Sequence, residues 1–231
     1  MKFTAILAVA GLFAHGLAQQ GKVKIMYLGD SITEITCWRA IVWAKLAAAN
    51  LTDKVQMFGS MNNNPENCKS SAVGFDTHHE GHSGWQAINI ANDYLPGWLN
   101  ASKPDIVQFM LGTNDVNGRR STSEIIGAYT KMVAQMRASN PRMKIIAIDK
   151  VIPLSVYTAQ IQAINAAIPA WRAEKNTAES PIVVADCSAE AGYTLAMHRD
   201  GIHPNAQGDE FMAKQIAPLL IQFVKDKLAE Q

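Results

Sequence analysis

Short apolar segments alternate along this chain with longer segments of helical periodicity. The apolar runs cover residues 23–28, 55–58, 106–111, 144–148 and 182–185. Apolar residues at helical spacing mark residues 38–49, 86–99, 123–138, 159–173 and 209–228. Continuously apolar strands that alternate with helices are typical of a parallel sheet covered on both faces. The pattern therefore predicts an α/β protein, a three-layer α/β/α sandwich with a five-stranded parallel sheet.

Four polar segments fall where this fold would place a ligand site. In a parallel sheet that site lies beyond the carboxyl ends of the strands. "GDS" (29–31) follows the first apolar run, "GTND" (112–115) follows the third, and "DGIHPN" (200–205) precedes the last helix. "EGHSGW" (80–85) closes an irregular stretch, 60–83, that is unusually long for a compact domain. We expect all four segments at one edge of the sheet.

These segments contain the groups that acyl transfer through a serine requires. Ser31 would be the nucleophile, His203 the general base, and Asp200 the carboxylate that orients the histidine. The backbone N–H groups of Ser31 and Gly81 and the side-chain amide of Asn114 would donate to the oxyanion. The sequence thus predicts an esterase-type catalytic site.

The order of these segments resembles the SGNH or GDSL-type hydrolase superfamily, which implies a flavodoxin-like fold. Five sequence segments are similar to those of the acetylxylan esterases of carbohydrate esterase family three: "GDSITEITCWR", "NNPENCK", "HHEGHSGW", "FMLGTND" and "RDGIHPN". That resemblance implies a secreted enzyme that removes acetyl groups from xylan or xylo-oligosaccharides without a cofactor. Ile32 stands where the GDSL motif has leucine. Gly84 is a second candidate for the family's glycine, and Gly81 is preferred for its expected close approach to the oxyanion.

Ser31 also has a structural interpretation. Ser31-Ile-Thr-Glu34 fits a capping box, in which the serine and the glutamate satisfy backbone N–H groups at the start of a helix. We expect the cap and the nucleophile to coexist, with the turn presenting the hydroxyl. Asp30 and Asp115 are interpreted as supports that bond nearby backbone groups.

The histidine cluster "HHEGH" (78–82) raises the alternative of a metal site. It misses the H-E-x-x-H spacing by one residue and contains a glycine that weakens a helix, so we predict no metal. His82 and Trp85 are candidates for substrate contact, and Trp85 is also a candidate for core support. A metal-dependent deacetylase, a non-catalytic polysaccharide-binding protein and an esterase for other acetylated polysaccharides or small acyl esters remain alternatives.

The chain begins with a segment typical of a secretory signal peptide, residues 1–18, which leaves an esterase domain over 19–231. Removing that segment removes one lysine and no acid, so the formal net charge falls from +1 to zero. A neutral chain favours neither nucleic acid nor an anionic membrane as partner, and we expect a monomer. Asn50 and Asn100 begin N-x-S/T sequons and are glycosylation candidates in a secreted protein.

Three cysteines, Cys37, Cys68 and Cys187, are present. An oxidising compartment permits at most one bridge within the chain. Cys37 opens the helix after Ser31, and Cys68 lies in a loop that should return to the same end of the sheet. We therefore predict a Cys37–Cys68 disulfide, with Cys187 a buried thiol at the end of a strand.

Overall fold

The computed structural model describes residues 21–231, with the backbone alone at 147–150. The signal peptide predicted over 1–18 lies outside the described residues. The strands are Val23–Gly29 (β1), Val55–Phe58 (β2), Glu80–Gly81 (β3), Ile106–Met110 (β4), Lys144–Lys150 (β5) and Ile182–Asp186 (β6). The helices are Ser31–Glu34 (α1), Trp38–Ala48 (α2), Ala87–Asn89 (α3), Leu95–Ser102 (α4), Thr113–Asn117 (α5), Thr122–Ser139 (α6), Thr158–Lys175 (α7) and Ala206–Ala229 (α8), with a π-turn at Ile90–Tyr94 and a 3₁₀ turn at Leu195–Met197.

The strands form one parallel sheet in the order β2-β1-β4-β5-β6. This confirms the predicted fold class and all five predicted strands. The prediction of five strands missed a sixth, β3, which pairs with the last two residues of β1. Because β3 is only two residues long and contains a glycine, it carries no alternation that a sequence pattern could reveal. It continues the edge of β1 where β2 has ended and so brings the 80–85 segment to Ser31.

Two hydrophobic cores lie on opposite faces of the sheet. One contains apolar side chains of α3, α4, α6 and α7, and the other contains those of α2 and α8. The strands contribute to both cores, since successive side chains point to opposite faces. The helices therefore hold the sheet between two apolar layers, and the loops at its carboxyl edge remain open to solvent.

A disulfide between Cys37 and Cys68 fastens the long loop after β2 to the start of α2. This confirms the predicted pairing. Glu66 in the same loop forms an ion pair with Arg199, at 3.1 Å between carboxylate and guanidinium. The loop is therefore anchored both to the helix that follows Ser31 and to the segment that carries His203.

Other sequence features fall at defined places in this fold. Asn50 and Asn100 of the two sequons are exposed, and Cys187 is buried directly after β6. Within residues 21–231, no helix has the length and apolar character needed to cross a membrane.

We expect the double substitution Cys37→Ser/Cys68→Ser to lower the free energy of unfolding by about 2–4 kcal/mol, because the bridge closes a long loop in the unfolded chain. Urea denaturation followed by circular dichroism measures this difference. A reducing agent should lower the urea midpoint of the wild-type protein and leave that of the double variant unchanged. Equal midpoints for the two oxidised proteins would contradict the prediction.

Candidate active site

Ser31, His203 and Asp200 form a continuous hydrogen-bonded chain at the carboxyl edge of the sheet. Ser31 Oγ lies 2.9 Å from His203 Nε2, and His203 Nδ1 lies 2.7 Å from Asp200 Oδ2. A carboxylate beside Nδ1 holds a proton on that nitrogen and leaves Nε2 as acceptor for the serine hydroxyl. The structure thus brings together three residues that lie up to 172 positions apart.

The loop that carries His203 is held by Asp200 itself. Asp200 Oδ1 accepts hydrogen bonds from the backbone N–H groups of Ile202 and His203. Burial would raise the pKa of Asp200, but the bonds from the His203 backbone and ring and from Ile202 outweigh it and lower that pKa to about 2. Asp200 therefore stays ionised beside the histidine throughout the neutral range.

The start of α1 differs from the predicted capping box. Asp30 is the N-cap, and its Oδ1 accepts from the backbone N–H of Ile32 at 2.9 Å. Ser31 is the first helical residue, so its side chain points to His203 instead of closing the helix. Glu34 makes no bond to the start of α1, because its carboxylate binds Ser83 and Asn63. The serine is presented by an aspartate cap, and the capping-box prediction was wrong.

Asp30 is buried and also holds Asn114. Asn114 Nδ2 donates to Asp30 Oδ2 at 3.2 Å and to the Trp85 carbonyl at 3.1 Å. Burial, with a smaller contribution from the negative charge of Asp115, raises the pKa of Asp30 to about 7 despite the bond from Ile32. The Asn114 amide thereby joins the serine turn to the 80–85 segment.

Asp115 supports a neighbouring helix. Its two carboxylate oxygens accept from the backbone N–H groups of Ala87 and Ile88, at 2.8 and 3.3 Å, at the start of α3. Burial raises the pKa of Asp115. Asp115 therefore bonds backbone groups, as expected, and these groups belong to the start of the helix that follows Trp85.

Gly81 does not have the geometry expected of an oxyanion donor. Its backbone N–H donates to His79 Nδ1 at 3.0 Å, and the residue is buried. A Cβ at this position would lie 2.8 Å from the backbone nitrogen of Glu34, so the glycine is required by the packing of β3 against α1. The expectation of an oxyanion donor at Gly81 is corrected on these grounds.

Gly84 has the geometry that Gly81 lacks. It is exposed, with φ of +83° and open space where a Cβ would lie. None of the described residues accepts a hydrogen bond from its backbone N–H, and the same holds for the N–H of Ser31. The N–H groups of Ser31 and Gly84 therefore remain free to donate among the described residues, and Asn114 brings a side-chain amide to the serine turn.

Glu34 ties the serine helix to the segment that contains Gly84. Its Oε2 accepts from the backbone N–H of Ser83 at 2.8 Å and from the Ser83 hydroxyl, and its Oε1 accepts from Asn63 Nδ2 at 2.8 Å. Partial burial would raise the pKa of Glu34, but these bonds lower it. The sequence analysis assigned Glu34 to a cap and missed this positioning role, since Ser83 is 49 residues away.

The clustered histidines have separate hydrogen-bond partners. His78 Nδ1 lies 2.7 Å from Asp76, His79 Nε2 lies 3.0 Å from the Asn63 side-chain oxygen, and His82 Nε2 lies 2.7 Å from the buried Glu80. Burial, together with the charge of Arg39, lowers the pKa of His79 to about 3, so His79 is neutral. Within the described part of the chain, no three His, Cys, Asp or Glu side chains are grouped to hold a metal ion.

His82 and Trp85, the two candidates for substrate contact, belong to an aromatic stack. The rings of His82, Trp85 and Trp98 pack against one another, with centroid distances of 4.5 Å for His82–Trp85, 4.7 Å for His82–Trp98 and 5.9 Å for Trp85–Trp98. Tyr94 closes the stack against Trp85 at 4.4 Å. Trp85 and Trp98 also pack on the core that contains α4. Both His82 and Trp85 therefore support the 80–85 segment, and their contact with substrate stays a prediction.

The model of the GDSL-like Lipase/Acylhydrolase family matches residues 27–211, which include every residue of this site. The chain belongs to this family. It is therefore a carboxylic ester hydrolase, and the predicted resemblance to SGNH or GDSL-type hydrolases is confirmed. No curated protein matches the chain.

Two solved structures are similar over nearly their whole length. An acetyl esterase mutant described with acetate ion, and a carbohydrate esterase family 3 protein from Talaromyces cellulolyticus, are each 57% identical with a TM-score of 0.86. Each alignment covers 88% of this chain and 99% of the other. A family 3 carbohydrate esterase from Clostridium thermocellum is 23% identical, with a TM-score of 0.72 over 89% of this chain and 98% of the other, and shows the shared fold.

The raised pKa of Asp30 predicts a pH-dependent contribution to stability. Between about pH 4 and 7 the Asp30 carboxyl keeps a proton in the folded protein and loses it in the unfolded chain. Its contribution to the free energy of unfolding is therefore complete below about pH 4 and is lost as the pH rises through about 7. Relative to wild type, Asp30→Asn should therefore gain on the order of a few kcal/mol in unfolding free energy between pH 4 and 8. Urea denaturation at several pH values, with the exposed Asp53→Asn as control, measures this. Parallel pH curves for wild type and Asp30→Asn would contradict the prediction.

Glu34→Ala should lower kcat for a small acetyl ester by about 10–100-fold with little change in KM, since a displaced donor weakens transition-state binding more than substrate binding. Glu34→Gln keeps one acceptor oxygen for Ser83 and should recover part of the rate. Steady-state kinetics on p-nitrophenyl acetate tests this, with Glu174→Ala, an exposed carboxylate on α7, as control. A loss of kcat that Glu34→Gln does not relieve at all would argue against hydrogen-bonded positioning.

Proposed function

We propose that this protein is a secreted serine esterase that removes O-acetyl groups from xylan, with Ser31, His203 and Asp200 as its catalytic triad. The observation that carries the proposal is the 2.9 Å contact between Ser31 Oγ and His203 Nε2, with Asp200 at 2.7 Å on the other side of the ring. This is the arrangement in which a histidine takes the proton of an attacking serine.

The reaction would proceed through an acetyl-enzyme. Ser31 Oγ attacks the acetyl carbonyl carbon while its proton passes to His203 Nε2, and Asp200 stabilises the imidazolium that forms. The bond between the carbonyl carbon and the sugar oxygen then breaks, and His203 returns the proton to that oxygen. Water attacks the acetyl-enzyme with His203 again as base, which releases acetate and restores the Ser31 hydroxyl.

The negative charge on the carbonyl oxygen would be held by the N–H groups of Ser31 and Gly84 and by the Asn114 amide. Both backbone groups are free to donate among the described residues. The Asn114 amide bonds Asp30 and Trp85, so one of these bonds would lengthen as the amide turns to the oxyanion. Catalytic hydrogen bonds often reach their final geometry only in the transition-state complex.

The substrate and the location are inferred from the similar proteins and from the covalent structure. An acetyl esterase and a carbohydrate esterase family 3 protein at 57% identity support an acetylated carbohydrate as substrate. The Cys37–Cys68 bond supports an oxidising compartment, and with the leader-like residues 1–18 it supports secretion. Exposed Asn50 and Asn100 would then be sites for N-glycosylation.

Acetate release tests this function. We expect the protein to release acetate from acetylated xylan, and Ser31→Ala to lower the rate at least about 10³-fold because the nucleophile is lost. Asp200→Asn should cost about 10²–10⁴-fold, since the histidine loses its fixed tautomer. Ser31→Ala should keep the wild-type circular dichroism and urea midpoint near pH 7, and Asp200→Asn should keep the wild-type circular dichroism.

The alternatives give different results in the same assay. Activity that persists in Ser31→Ala and disappears with a chelator would indicate a metal-dependent deacetylase. Xylan binding without acetate release would indicate a binding protein. Preference for acetylated pectin or for a long-chain acyl ester over acetylated xylan would overturn the substrate and leave the serine mechanism intact.

A further inference from the structure

Exposed large apolar side chains are concentrated beside His203. Among the side chains described in residues 21–146 and 151–231, six such side chains are exposed, and four of them lie in the segments 155–157 and 195–203: Val156, Tyr157, Leu195 and Ile202. Tyr157 and Ile202 expose 38% and 36% of their surface. Exposed apolar groups gathered at one place mark contact with another molecule more often than single ones do.

The segment with Tyr157 is bonded to both sides of the candidate active site. The Ser155 backbone N–H and hydroxyl each lie 3.4 Å from the Gly201 carbonyl, inside the loop of Asp200 and His203. The Tyr157 hydroxyl donates to Asn117 Oδ1 at 3.2 Å, on the helix that also carries Asn114. The segment of Ser155 and Tyr157 therefore connects the loop that carries His203 to the helix that carries Asn114.

The backbone at Tyr157 is unusual for an aromatic residue. Its φ of 63° lies in the left-handed region, and it stands at the N-cap of α7 without making a side-chain cap bond. Asparagine would adopt this conformation more easily and could also cap the helix. A tyrosine at this position neither caps the helix nor fills the core. Unfavourable backbone conformations of this kind are often kept at functional sites, where the side chain is used.

We propose that Tyr157, with Val156 and Ile202, forms a platform for the apolar face of a sugar ring next to the acetylated one. This inference rests on the proposed function and identifies a residue that favours a saccharide chain over a small ester. A pyranose presents C–H groups on its face and hydroxyls at its edge. The exposed aromatic ring suits the face, since its π-surface is negative, and Ser155 and Asn117 suit the edge.

A sugar fits this surface better than an acyl chain does. Pockets for apolar chains are concave and bury most of the ligand. The Tyr157 side chain is exposed, and its ring carries a hydroxyl bonded to Asn117. If the surface instead bound an acyl chain, substitution of Tyr157 would affect a long-chain ester and not a saccharide.

Turnover of two substrates separates the platform from a structural role. Tyr157→Ala should lower kcat/KM for an acetylated xylo-oligosaccharide about tenfold, mainly through KM, and change that for p-nitrophenyl acetate less than about twofold. Tyr157→Phe keeps the ring and should stay near wild type on both substrates. Val73→Ala, which truncates an exposed apolar side chain of the long loop, is the control. Equal losses on both substrates, or a loss confined to p-nitrophenyl octanoate, would overturn the platform.

Binding separates this inference from the proposed function. Xylohexaose titrated calorimetrically into Ser31→Ala and into Ser31→Ala/Tyr157→Ala should show a dissociation constant about tenfold weaker in the double variant. The difference in affinity does not depend on acetate release. If the wild-type protein released no acetate, the proposed function would be wrong and the difference in affinity would still support the platform. Equal affinities, or no binding to Ser31→Ala, would overturn the platform while serine-dependent acetate release still supported the function.

Discussion

The candidate active site depends on one buried carboxylate, that of Asp30. It caps α1 through the Ile32 N–H, which places Ser31 in the first helical turn, and it holds the Asn114 amide with its second oxygen. Asn114 in turn bonds the Trp85 carbonyl. Three loops from widely separated positions in the chain are therefore linked through Asp30 and Asn114. Burial makes its charge costly, which is why the pKa is raised, and the surrounding bonds offset that cost.

A second set of contacts fixes the side of the site that faces the long loop. Glu34 holds Ser83 and Asn63, and His79 holds Asn63 and the Gly81 N–H. The disulfide keeps that loop in place. These groups support the segment beside the serine helix without lying on the path of the proton, and they hold Ser83, which precedes the open Gly84 N–H. The 59–79 connection is long because it supplies this support.

The errors of the sequence analysis share one physical origin. Ser31 and Glu34 fit a capping box because spacing along the chain shows only local partners, whereas the partners of Glu34 lie 29 and 49 residues away. Gly81 and Gly84 are indistinguishable in sequence. Only the folded chain shows that Gly81 is buried with its N–H bonded to His79, and that Gly84 is exposed with no acceptor for its N–H among the described residues. No sequence pattern indicated a functional role for Tyr157, since it lies outside the four polar segments.

The sequence by itself determined the layered fold, the four chemistry-bearing segments, the triad candidates and the disulfide pair. It could do so because strand and helix periodicities are local, and because parallel strands bring the segments that follow them to one edge. The tertiary structure alone decided which atom bonds which: the Asp30 cap, the link from Glu34 to Ser83, the role of Gly81 and the place of Tyr157. Those outcomes depend on distances of about 3 Å between groups remote in sequence, and hydrogen bonds weaken steeply outside that range.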